Sequence, residues 1–142
     1  MKNVLKSSRQ NLWYNKHFRY GCFHKIWHQL RRFNVFEESP RFVNLNLARQ
    51  LSLHAGSKIK KVAVTVNLNN QELDKIVKKV PLDFIQLHGN ETPKRVQEIK
   101  TRYKIPVIKA IGISEANDLD FISLFKDVAD QLLIDAKPPS SS

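Results

Sequence analysis

Leu82–Pro93 reads LDFIQLHGNETP, and the change of character inside those twelve residues decides the fold. Asp83–Leu87 is a short apolar run of strand type. It gives way to the polar Gln86-Leu87-His88-Gly89 end, and Thr92-Pro93 then starts a helix whose apolar stripe is Val96 and Ile99. A buried strand, a polar turn and an amphipathic helix make a βα unit. The rest of the chain repeats it.

Outward from that unit, Arg32–Phe36, Lys61–Val66, Pro106–Ile111 and Gln131–Ile134 are further strand candidates. The helix-length segments between strands are Val43–Ala55, Asn70–Lys79, Thr92–Tyr103 and Glu115–Phe125. Asn70 is expected to cap Gln71–Lys79, in which Leu73, Ile76 and Val77 share a face. Asp74-Lys75, Lys78-Lys79 and Lys94-Arg95 are expected to be solvated helix faces. Strand–helix alternation at this spacing implies right-handed parallel connections, an α/β fold. Parallel sheets carry function at the carboxyl ends of their strands. Those ends here are Glu37–Arg41, Asn67, Gln86–Gly89, Gly112 and Asp135–Lys137.

The net charge of +11 over 142 residues suggests an anionic partner until it is resolved by position. Residues 1–35 hold eight basic and no acidic residues, three of five histidines, and seven of thirteen aromatic residues. The other 107 residues carry only +3. Three organisations follow: an irregular basic segment over 1–32, an α/β body over 33–139, and a tail over 140–142. The opening segment reads as an aromatic-interleaved arm for nucleic acid, as a targeting peptide, or as sequence never selected as protein. One cysteine excludes an intrachain disulfide framework and argues against a Cys/His zinc module. No run of 18 apolar residues exists to span a membrane.

Four stretches in order resemble the phosphoribosylanthranilate isomerase family, a tryptophan-pathway (β/α)8 barrel. They are Phe33–Val43 (FNVFEESPRFV), Val62–Asn67 (VAVTVN), Leu82–Glu91 (LDFIQLHGNE) and Leu132–Pro139 (LLIDAKPP). The Ser-Pro-Arg loop and the Gln-Leu-His-Gly-x-Glu signature are specific at this spacing. The resemblance implies strands two to six of the barrel, a partial fold, because a complete one needs about 200 to 250 residues.

The resemblance also implies chemistry: an Amadori-type aldose-to-ketose isomerisation of N-(5-phosphoribosyl)anthranilate, without cofactor or metal. A general acid opens the furanose ring, and a general base removes the proton on the neighbouring carbon. It places the acid at Asp135, where a carboxyl group could serve if partial burial disfavours its ionised form. Arg41 falls on the arginine that meets the anionic substrate, and Gln86 and His88 line the pocket. Taken alone, a strand-end residue such as Asp135 is often a helix cap, Arg41 is more often a solvated loop cation and His88 more often a structural residue. Lys109 and Lys137 stand near strand ends without an assigned role.

The family's base is a cysteine in Lys-Ile-Cys-Gly-Ile-Thr on its first strand, a motif this sequence lacks; Cys22 stands in another context. The seventh and eighth strands, whose loops bind the substrate phosphate, have no counterpart before Ser142. Written as AAT CTG TGG TAT AAC AAA CAT, codons for Asn11–His17 read one nucleotide later give Ile-Cys-Gly-Ile-Thr-Asn. Residues from about 10 to 32 are therefore expected to be translated out of frame. The expectation is a truncated cytoplasmic isomerase homologue, impaired as written, acting on a small phosphorylated substrate and open to complementation by a C-terminal fragment. Neither a membrane nor nucleic acid is expected as a partner. The alternative is a non-catalytic α/β fragment with a basic nucleic-acid-binding arm.

Overall fold

The computed structural model of the chain describes residues 5–6, 11–15, 30–114 and 116–136. Two short strands, β1 (Leu5–Lys6) and β2 (Asn11–Asn15), precede five strands that alternate with helices. These are β3 (Leu30–Asn34), α1 (Leu45–Ala55), β4 (Lys60–Thr65), α2 (Asn70–Lys79), β5 (Phe84–Leu87), α3 (Pro93–Tyr103), β6 (Val107–Ile113), α4 (Leu119–Phe125) and β7 (Gln131–Ala136). A 3-10 turn, Ala116–Asp118, leads into α4. The sheet order is β1-β2-β7-β6-β5-β4-β3, and β3 to β7 are parallel to one another. On the far side of β7, β2 pairs antiparallel, with Leu12 opposite Ile134.

All five expected strands form, displaced by one or two residues at their ends. The largest offset is β3, which occupies Leu30–Asn34 rather than Arg32–Phe36. Its ladder ends early because the chain turns away, Ser39 N donating to the Phe36 carbonyl at 3.2 Å. Side-chain alternation then splits the sheet into two faces. Val62, Ile108, Ala110 and Leu133 pack with Leu30 and Phe84 on one. Ile85, Leu87, Val107, Ile111 and Leu132 lie on the other, against Leu73 of α2, Val96 and Ile99 of α3 and Phe125 of α4. Each such side chain removed from water contributes about 1.5–3 kcal/mol, so helix docking is driven by this second face.

The helix starts follow from local side chains. Thr92 Oγ1 accepts from Arg95 N at 3.2 Å, with Pro93 in the first turn, as the sequence predicts. At α2 the cap is Asn69 and not Asn70. Asn69 Oδ1 accepts from Glu72 N at 3.0 Å while Glu72 Oε2 accepts from Asn69 N at 2.8 Å. That reciprocal pair satisfies two otherwise orphaned amides, and only the asparagine three residues before the glutamate can form it. Asn70 instead joins α2 to α3: its Oδ1 accepts from Arg95 Nη1 at 2.7 Å and its Nδ2 donates to Glu98 at 2.9 Å. Asp74 accepts from Arg102 at 2.9 Å and from the Tyr103 hydroxyl at 2.8 Å. Asp74 and Arg95 are therefore not merely solvated. They clasp two adjacent helices.

The last expected helix, Glu115–Phe125, begins later, at Leu119, after the 3-10 turn. Cys22 and the out-of-frame expectation lie largely outside the described residues, where only the backbone of 11–15 and the start of β3 fall within them.

Candidate active site

The carboxyl ends of β3 to β7 emerge at one end of the sheet, and those of β4, β5 and β6 are joined by a buried ion pair between Glu91 and Lys109. Lys109 belongs to the apolar strand β6 and is only 3% exposed, yet its ammonium has four acceptors within reach. They are the carbonyls of Leu87 (3.4 Å), Gly89 (2.7 Å) and Ala110 (3.0 Å) and the Glu91 carboxylate (3.1 Å). The Phe125 ring lies 5.5 Å from the same nitrogen. Burial pulls the Lys109 pKa below the ordinary lysine value, and Glu91 works against that shift by favouring the cation.

Glu91 is equally occupied. Its Oε1 accepts from Asn67 N at 2.9 Å, and its Oε2 accepts from Gly89 N at 3.0 Å. Asn67 takes a left-handed backbone conformation, φ 50°, and its Oδ1 accepts from Asn90 N at 2.8 Å. Only a residue without a side chain fits between these groups: a Cβ on Gly89 would stand 2.7 Å from Asn67 Cγ and 2.9 Å from its backbone nitrogen. The end of β4, the β5 loop and β6 are thereby fixed to one another.

That clamp presents His88. Its backbone N donates to the Thr65 carbonyl at 2.9 Å, continuing the ladder past the end of β5. Its Nδ1 lies 3.1 Å from Nε2 of Gln86, a side chain 2% exposed. Gln86 Oε1 is buried and has no hydrogen-bond partner among the described residues. By alternation Gln86 shares the face of Phe84 and Ile108, away from the helices. Partial burial pushes the His88 imidazole below the ordinary histidine range. The Asp135 and Glu91 carboxylates oppose that shift, and the Lys109 and Arg32 cations add to it.

Of the residues singled out from the sequence, the structure brings Gln86 and His88 into contact. It sets Asp135, at the end of β7, within electrostatic reach of the same imidazole. By alternation Asp135 lies on the face of Leu133, the face that carries Gln86. Arg41 is not joined to them. It lies exposed in the loop after β3, its backbone N donating to Ser39 Oγ at 3.1 Å, and no hydrogen bond or ion pair links it to Gln86, His88 or Asp135. Lys137 lies outside the described residues.

Sequence reasoning missed the Glu91–Lys109 pair, although a lysine inside the run VIKAI signals a buried partner. It also missed Arg32, which alternation puts on the face of Leu30 and whose cation acts on His88. No group of three or more His, Cys, Asp or Glu able to hold a metal ion occurs among the described residues. No helix among them is long and apolar enough to cross a membrane.

Comparison with known proteins gives one consistent answer. The model of the family described as N-(5'phosphoribosyl)anthranilate (PRA) isomerase matches residues 25–141. The N-(5'-phosphoribosyl)anthranilate isomerase of Rhizobium rhizogenes is 47% identical over 110 residues, 78% of this chain and 50% of that protein. The protein of the same name from Ruegeria sp. is 49% identical over 109 residues, 77% of this chain and 51% of its own length. The crystal structure of phosphoribosyl anthranilate isomerase from Thermotoga maritima superposes with a TM-score of 0.71 at 27% identity, covering 80% of this chain and 53% of that one. A second structure of that enzyme type, in complex with reduced 1-(o-carboxyphenylamino)-1-deoxyribulose 5-phosphate, gives 0.70 at 27% identity, over 77% and 54%. The chain spans about half the length of the curated relatives it matches.

Proposed function

The chain belongs to the phosphoribosylanthranilate isomerase family, and from that premise we propose that its strand ends form the substrate-facing part of a site for isomerising N-(5'-phosphoribosyl)anthranilate. The fold is α/β, five parallel strands of the (β/α)8 barrel type with their intervening helices. The observation that carries the reading is the grouping of Gln86, His88 and Asp135 on one face at the carboxyl ends of β5 and β7. The matched segment, 25–141, includes all of them.

In this reading Asp135 is the general acid that delivers a proton to the furanose ring oxygen as the carbon–oxygen bond breaks, leaving an open-chain iminium. Loss of the proton on the adjacent carbon gives an enolamine, which tautomerises to the aminoketose. No electrons leave the substrate, so the step asks for no cofactor. Arg41 supports the reading by its planar guanidinium, which suits bidentate pairing with the substrate carboxylate. His88 and Gln86 line the wall between them. The general base is the missing element: the family's Lys-Ile-Cys-Gly-Ile-Thr does not stand in this sequence. On this account the proton-abstraction step and the hold on the substrate phosphate fall to groups outside residues 33–139.

Titration of the 15N-labelled chain with reduced 1-(o-carboxyphenylamino)-1-deoxyribulose 5-phosphate tests the proposal. Saturable shifts are expected at the backbone amides of Arg41, His88 and Asp135, and none on the outer faces of α2 and α3. Shifts confined elsewhere, or no shift up to the solubility of the compound, would overturn it.

A further inference from the structure

Gln86 is an anomaly in its layer. Its strand-face neighbours Phe84, Ile108, Ala110 and Leu133 are apolar, and an amide contributes nothing to packing there that a leucine would not. It is 2% exposed, and its Oε1 has no partner among the described residues. A buried polar atom without a partner destabilises the fold, so it asks for a reason outside stability. The Gln86 Nε2 lies 3.1 Å from His88 Nδ1.

With the amide turned so that Nε2 faces the ring, that contact has one chemical sense. An amide nitrogen donates and cannot accept, so Nδ1 must accept and the imidazole proton must sit on Nε2. Protonating the ring would place a hydrogen on Nδ1 facing the Gln86 N–H, and the geometry opposes that. The charged groups around the ring divide: Asp135 from β7 and Glu91 from the β5 loop favour imidazolium, Lys109 from β6 and Arg32 from β3 disfavour it. His88 itself is exposed while Gln86 is not, so Nδ1 is the nitrogen committed to the interior and Nε2 the one left to a ligand.

We propose that Gln86 is a positioning residue that fixes His88 as the tautomer protonated on Nε2, so that His88 offers an N–H donor to an oxygen of the phosphorylated substrate. The ring is then a hydrogen-bond donor and not a proton acceptor. This inference deepens the isomerase reading and rests on it for the identity of the ligand, whereas the tautomer itself is a property of the free chain.

The test is long-range 1H–15N spectroscopy of the full 15N-labelled chain across the histidine titration range. The expected His88 pattern at neutral pH is a pyridine-type Nδ1 and a pyrrole-type Nε2 without averaging, and a titration midpoint below that of free histidine. Gln86→Leu is expected to relax the ring to the tautomer mixture of free imidazole with no loss in the thermal midpoint of the chain. A residue that merely filled space would not move the tautomer. Gln86→Glu, whose carboxylate accepts, is expected to move the proton to Nδ1 and raise the midpoint. A wild-type ring protonated on Nδ1, which an amide turned by 180° would demand, overturns the proposal. So does a free-imidazole mixture in the wild type, or a tautomer unchanged in Gln86→Leu. None of these readouts needs substrate, so failure here is distinct from failure of the analogue titration.

Discussion

Glu91 and Lys109 show how much one buried pair can organise. Two carboxylate oxygens and one ammonium satisfy two backbone N–H groups and reach three carbonyls across β4, β5 and β6. Glu91→Gln leaves the ammonium buried without its counter-charge, and breaking such a pair costs about 3–5 kcal/mol, to be read as a lower urea midpoint. Gly89→Ala is expected to lose about 1–3 kcal/mol by the same measurement, because Asn67, whose backbone N is fixed by Glu91, has little room to give. His88 supplies a pH signature. Its pKa is lowered on folding, so the unfolded chain binds the proton more readily. The contribution to stability is full above the ordinary histidine pKa of about 6.5. It is lost as pH falls through the lowered folded value, and replacing His88 by Gln is expected to flatten that part of the stability profile.

At the scale of elements, the sequence was legible wherever a signal is local. Thr92 with Pro93, the stripe of Val96 and Ile99, and the β-branched runs name their elements because capping and periodicity act within a few residues. Boundaries were less legible, since a strand ends where its neighbour stops pairing. The polar faces of α2 and α3 were the least so. Asp74 and Arg95 look like solvated charges when each helix is read alone, and only docking puts Asp74 beside Arg102 and Arg95 beside Asn70. The Asn69 cap was available in the spacing Asn-x-x-Glu, which favours Asn69 over Asn70. Asn69→Ala is expected to cost about 1 kcal/mol, and Asn70→Ala to act instead through the Arg95 and Glu98 contacts. Leu73→Ala, at a position 1% exposed between helix and sheet, is expected to lose about 2–5 kcal/mol in the same denaturation series.

At the scale of the whole molecule, most of the excess charge precedes the parallel sheet. Six of the eight uncompensated cations of residues 1–35 come before Leu30, and only Arg31 and Arg32 fall in the five parallel strands, which run from Leu30 to Ala136. Of the candidate site, the placement of Gln86, His88 and Asp135 at the strand ends was legible from the motifs that carry the family signature. The clamp behind it was not, because Lys109 and Glu91 act through backbone carbonyls and amides that no motif encodes. Arg41 remains exposed in the loop after β3, with no hydrogen bond or ion pair to those residues.

The central claim is that these strand ends are an isomerase half-site with Asp135 as its acid. Grafting residues 33–136 into the Rhizobium rhizogenes isomerase, in place of the segment they match, supplies a base and phosphate loops from that protein. The decisive quantity is kcat for N-(5'-phosphoribosyl)anthranilate with Asp135 and with Asp135→Asn in that graft. Turnover is expected in the first and a fall of about 10²–10⁴-fold in the second, with KM little changed. A folded Asp135→Asn graft that turned over as fast as its parent would contradict it.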